Sequence, residues 1–128
     1  MSAAAALCHD PADVTVLIVD DHPSFRASAR MLLQAEGFDV VGEAEDGASA
    51  LAAAAELRPD LVLLDVQLPD MDGFDVAARL TAGTLGPAVV LVSSRDGADF
   101  GGLVRDCGAR GFIPKAELSG SRIAALLA

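Results

Sequence analysis

Two apolar runs in this chain end in acids. Val16-Leu17-Ile18-Val19 leads straight into Asp20-Asp21, and Leu61-Val62-Leu63-Leu64 leads into Asp65. A short run of Val, Ile and Leu without alternating polar residues is the pattern of a strand covered on both faces, as in a parallel sheet with helices on each side. Such sheets collect their ligands at the C-terminal edge of the strands. The two runs therefore predict three carboxylates sharing one pocket.

The rest of the chain supports that sheet. Strands and helices take turns with short connections, the rhythm of a doubly wound α/β domain with a five-stranded parallel sheet. The first strand is expected over 15–19, followed by a helix with Pro23 near its start and Phe25, Ala29, Leu32 and Leu33 facing inward. Gly37 stops that helix as a left-handed C-terminal residue, and a strand from Asp39 ends near Glu43. Asp46-Gly47 turns the chain into an Ala- and Leu-rich helix over 48–57, which Arg58-Pro59-Asp60 terminates before the strand that reaches Asp65. A polar loop punctuated by Pro69 and Gly73 precedes a helix over 74–80, and a fourth strand over 87–92 closes on Ser93-Ser94. Asp96 is placed to cap a fourth helix. Gly97, Gly101 and Gly102 each weaken it by about 1 kcal/mol relative to Ala, so it is predicted to be the least stable. A short fifth strand over 111–113 leads into Pro114-Lys115, and a last helix covers 121–127.

Composition narrows the function. A chain of 128 residues fits one domain, expected over 14–128 behind a disordered Ala-rich leader over 1–13. The leader has neither a basic start nor a long apolar stretch, which predicts neither a signal peptide nor a membrane span. Cys8 and Cys107 form no CxxC pair and are expected to be reduced, placing the protein in the cytoplasm. Nineteen acids against nine scattered bases give a formal charge of −10, and there is no Trp or Tyr to stack on bases. Direct nucleic-acid binding is not expected of such a chain.

If strands one, three, four and five are neighbours, Asp20, Asp21, Asp65, Ser93 and Lys115 all stand on one rim. Three close carboxylates repel one another, so they hold protons, a counter-charge or a hard divalent cation. Mg²⁺ suits them best, because it takes oxygen ligands and usually combines a few carboxylates with a phosphate. Lys115, the only lysine in the chain, supplies a counter-charge. His22 sits beside the acid pair, but Mg²⁺ prefers oxygen, and the residue is read as packing at the helix start. His9 lies in the leader and carries no functional weight.

The stretches VLIVDD (16–21), VVGEAEDG (40–47), RPDLVLLDVQLPDMDGFD (58–75), VVLVSS (89–94) and GARGFIPK (108–115) resemble the receiver domain of a two-component response regulator. The wording is nearest to receivers that precede a helix-turn-helix output domain, and thirteen residues follow Lys115 in this sequence. The resemblance implies the flavodoxin-like receiver fold, with Asp65 as phosphoacceptor attacking a phosphohistidine. It implies Asp20, Asp21, Asp65 and the backbone carbonyl of Gln67 as Mg²⁺ ligands, with Lys115 contacting the phosphoryl oxygens. Pro114 would supply a cis peptide. Ser93 and Phe112 would form the switch, Phe112 without the hydroxyl of the tyrosine often found there. Expected partners are a sensor histidine kinase or histidine phosphotransfer protein. A downstream protein, an output domain or a second copy would be met through the fourth helix, fifth strand and fifth helix.

The chain would catalyse only its own phosphorylation and dephosphorylation and is not expected to be an enzyme otherwise. Three rivals are weaker on the residues. A haloacid-dehalogenase-like phosphatase needs an acid two positions after the nucleophile, where Gln67 stands. A flavin mononucleotide site would set its phosphate against Asp20-Asp21. A pseudo-receiver that binds partners without phosphorylation would not need every catalytic position filled.

Overall fold

The computed structural model describes residues 14–83, 86–94 and 101–127. The leader over 1–13 and the cap at Asp96 lie outside them. Five strands form one parallel sheet: β1 Thr15–Val19, β2 Asp39–Ala44, β3 Leu61–Asp65, β4 Ala88–Ser93 and β5 Gly111–Pro114. Their spatial order is β2-β1-β3-β4-β5. The helices between and after them are α1 Pro23–Ala35, α2 Gly47–Leu57, α3 Gly73–Leu80, α4 Gly101–Asp106 and α5 Gly120–Leu127.

The unbroken apolar runs are explained by two cores. Val16 and Ile18 of β1, Leu61 and Leu63 of β3, and Val90 and Val92 of β4 face one side, where Ala29 and Leu33 of α1 and Ile123 of α5 cover them. Leu17, Val19, Val62, Leu64, Val89 and Leu91 face the other, against α2 and α3. Alternation along a strand sends consecutive residues to opposite faces, so a strand covered twice has no position for a polar side chain until it ends.

Local signals set the element ends. Gly37 has φ 95°, the left-handed conformation expected for it after α1. Asp46 caps α2 through a capping box with Ser49. Arg58 takes the left-handed conformation at φ 48° and its N–H bonds the Ala54 carbonyl, so α2 ends at Leu57, two residues before Pro59. Cys107 is buried with a free thiol. No described helix is long and apolar enough to cross a membrane.

One expectation fails. Among the described residues there is no cis peptide bond, so Pro114 follows a trans bond. Pro114 is the last residue of β5 and lies opposite Ser93, with φ −58° and ψ 139°. This extended backbone continues the strand, and trans is the lower-energy isomer even before proline.

Candidate functional site

The register of the sheet builds the rim. Val19 of β1 is level with Leu64 of β3, so Asp20 and Asp65, the next residues, come out side by side. The chain turns from one direction of strand addition to the other between these two strands, the point at which an open α/β sheet leaves a crevice. Asp65 pairs with Val92, and Ser93 pairs with Pro114. Ser93 and Lys115 therefore leave the same edge one step further on.

Asp20 is fully buried, and Asp65 and Ser93 are nearly so. Ligating atoms of Asp20, Asp21, His22 and Asp65 all lie within 4.8 Å of one another. Lys115 Nζ stands 2.5 Å from Asp20 Oδ2 and 3.5 Å from Asp65 Oδ2. The Gln67 N–H donates to Asp65 Oδ1 at 3.1 Å, which turns the loop after β3 back over the acid. Phe112 is half-buried and packs on the core covered by α2 and α3.

Burial is the largest influence on the Asp65 carboxyl and raises its pKa above the usual aspartate value; the charge of Asp20 pushes the same way. The Gln67 N–H and the Lys115 ammonium act against them without reversing the direction. Among the described residues no hydrogen bond reaches Asp20 Oδ2. A buried carboxylate oxygen with only a charge beside it is an acceptor prepared for a cation, and the carboxylate oxygens of Asp20, Asp21 and Asp65 fit Mg²⁺.

His22 stands at the start of α1, as expected, and its N–H donates to Asp20 Oδ1 at 2.7 Å. Its ring also joins the cluster, with Nδ1 3.0 Å from an oxygen of both Asp20 and Asp21. Packing at the helix start is therefore only part of its role.

Residues outside the expected set also contribute. Arg26 donates to the Asp20 carbonyl at 2.6 Å and to Glu43 at 3.0 Å, while Arg30 reaches the other Glu43 oxygen at 2.7 Å. Chiefly through Arg30, these bonds hold the Glu43 carboxyl below its ordinary pKa. The spacing Arg26-x-x-x-Arg30, one helical turn apart, was the available signal. Gly73 lies so close to the site that an added Cβ would collide with the Asp65 carbonyl and the Val66 backbone. Asp70 accepts from the N–H groups of Gly47 at 2.7 Å and Ala48 at 3.0 Å, tying the loop after β3 to the start of α2.

The profile of the response regulator receiver domain family matches residues 16–127. The chain belongs to that family. As a receiver domain it is a phosphoacceptor signalling module, with the parallel sheet and flanking helices that its relatives share. A Pseudomonas aeruginosa protein named as a transcriptional regulator is 43% identical over 102 residues, which are 80% of this receiver and 49% of that protein. The receiver thus spans about half the length of the curated relatives it matches.

Among solved structures, the signal receiver domain of the response regulator NarL from Mycobacterium tuberculosis matches with a TM-score of 0.78 and 36% identity. That match covers 89% of this chain and 96% of the other. The CheX-CheY-BeF₃-Mg²⁺ complex from Borrelia burgdorferi matches with a TM-score of 0.75 and 28% identity, covering 89% of this chain and 86% of that one.

Proposed function

We propose that this receiver, spanning residues 14–128, takes a phosphoryl group from a phosphohistidine onto Asp65. The observation that carries the assignment is the convergence of Asp20, Asp65 and Lys115 in one buried pocket at the sheet's crevice. A carboxylate oxygen of Asp65 attacks phosphorus. The new bond is carboxyl oxygen to phosphorus, the phosphorus–nitrogen bond breaks, and its electron pair stays on the donor imidazole, which takes up a proton. Phosphoryl transfer asks the protein mainly for position and charge neutralisation, and Lys115 supplies both from one side of Asp65.

Asp20, Asp21, Asp65 and the Gln67 carbonyl would hold Mg²⁺, which neutralises charge on the transferring oxygens when bound. The likeness to the Borrelia protein, solved with BeF₃ and Mg²⁺, supports Mg²⁺ as the cation. His22, despite its place in the cluster, contributes a nitrogen that a hard cation leaves to water or to the acids.

A phosphoryl group on Asp65 brings strong acceptor oxygens to the rim. Ser93 donates its hydroxyl to them, and Phe112 repacks into the space behind. The upstream partner is a histidine kinase or phosphotransfer protein, and the downstream one an output domain or protein reached through α4, β5 and α5. A regulator of this kind works in the cytoplasm. With a charge of −10, this segment leaves any DNA contact to an output domain.

The decisive experiment is intact mass after incubation with Mg²⁺ and acetyl phosphate. The wild type gains one phosphoryl group, and Asp65→Asn or added chelator prevents it. A wild type that gains none overturns the assignment.

A further inference from the structure

Among the described residues Lys115 has three partners, and two of them have other work. Its ammonium touches Asp20 and Asp65, one the buried acid of the cation set and the other the nucleophile. The third partner is the ring of Phe25, whose centroid lies 4.5 Å from Nζ. Phe25 is in the first turn of α1, half-buried, and packs against the core between the sheet and α1. A ring face attracts an ammonium through its quadrupole and takes no oxygen ligand from the site.

We propose that Phe25 is a positioning residue for Lys115, keeping the ammonium beside Asp65 once a cation claims Asp20. This rests on the reading of Asp65 and Asp20 given above. Without the ring, an ammonium displaced from Asp20 has one anchor left. The other choice for a flexible four-carbon side chain at the rim is solvent. With the ring it keeps two.

The sole lysine makes the test direct, because selective ¹³C-lysine labelling gives an NMR signal from Lys115 alone. In the wild type the ring current moves the Lys115 ε-methylene upfield. The shift persists when Mg²⁺ is added, survives in Phe25→Tyr and is lost in Phe25→Leu. Collapse of the wild-type shift on adding Mg²⁺, or its persistence in Phe25→Leu, overturns the proposal.

The kinetic arm uses acetyl phosphate with Mg²⁺, in which Asp65 oxygen bonds phosphorus as acetate leaves with the electron pair. Phe25→Leu lowers the maximal rate constant by roughly three- to thirtyfold with little change in half-saturation, and Phe25→Tyr restores it. In a Lys115→Ala background the same Phe25→Leu substitution costs nothing further. An equal loss in both backgrounds means that Phe25 acts through packing and sinks the idea. A wild type that is never phosphorylated overturns the parent assignment instead, and the NMR result then still stands on the ring and ammonium alone.

Discussion

The Lys115 ammonium is paired with Asp20, its Nζ 2.5 Å from Oδ2 of that fully buried acid. Asp65 is a full ångström further away. Without a cation, the lysine therefore serves as counter-charge to the acid proposed above as a cation ligand. Its removal strands a buried carboxylate. Lys115→Ala is expected to destabilise the metal-free protein by about 2 kcal/mol, less than for a fully enclosed pair because the side chain keeps some contact with water. Saturating Mg²⁺ replaces the missing charge and stabilises the variant more than the wild type. Urea unfolding with and without Mg²⁺ checks this, and an equal gap in both conditions contradicts it.

Asp65 responds to pH in the direction set by its burial. Its folded-state pKa lies above the ordinary value, so the folded protein holds that proton more tightly than the unfolded chain does. The favourable contribution is complete below the ordinary aspartate range and is lost as pH rises through the elevated folded value. Asp65→Asn, which never ionises, should be more stable than wild type at neutral pH without metal. The gap should close as the solution is acidified toward the ordinary carboxylate range. Thermal unfolding of both proteins across that range measures it.

Asp70 behaves in the opposite sense. The N–H groups of Gly47 and then Ala48 hold its carboxyl below the ordinary value. The stabilisation is present above the ordinary aspartate pKa and disappears as pH falls through the lowered folded value. Asp70→Ala should cost stability at neutral pH, with the deficit vanishing in acid. Amide exchange at Gly47 and Ala48 locates the effect, and a deficit that does not change with pH would count against the carboxylate.

Two glycines should give opposite results on substitution by alanine. Gly73→Ala drives a Cβ into the backbone of Asp65 and Val66, which cannot yield without moving the site. It is expected to cost about 3 kcal/mol and to slow phosphorylation. Gly102, exposed on α4, has open space around an added Cβ. Gly102→Ala should stabilise by roughly 0.5–1 kcal/mol through helix propensity. Melting temperatures and amide protection of α4 test the pair.

What could be read from the chain followed from rules that act locally. Val16 to Val19 and Leu61 to Leu64 announced strands covered twice, and Gly37, Asp46 and Pro59 marked turns by backbone preference alone. Helix starts were less sharp. Expected from Ala48, Phe74 and Ser121, α2, α3 and α5 each begin one residue earlier, at a glycine. Glycine is a poor helix former, so propensity places it outside. Here each of the three is buried, where a side chain would meet Met71, Asp65 or Glu36.

The sequence by itself determined the elements, the two-faced sheet and the residue types at its rim, because strand period, helix propensity and turn chemistry act over a few neighbours. Only the tertiary structure decided which of those residues meet. The register of β1 against β3 sets Asp20 level with Asp65. A side chain fifty positions from Asp65 closes the pocket, and Phe25 comes under that lysine. Gly73 lies against Asp65, and Asp70 across the start of α2. Contacts between residues distant along the chain depend on how strands pair and helices pack, and no local preference of Phe25 or Lys115 encodes the other's position.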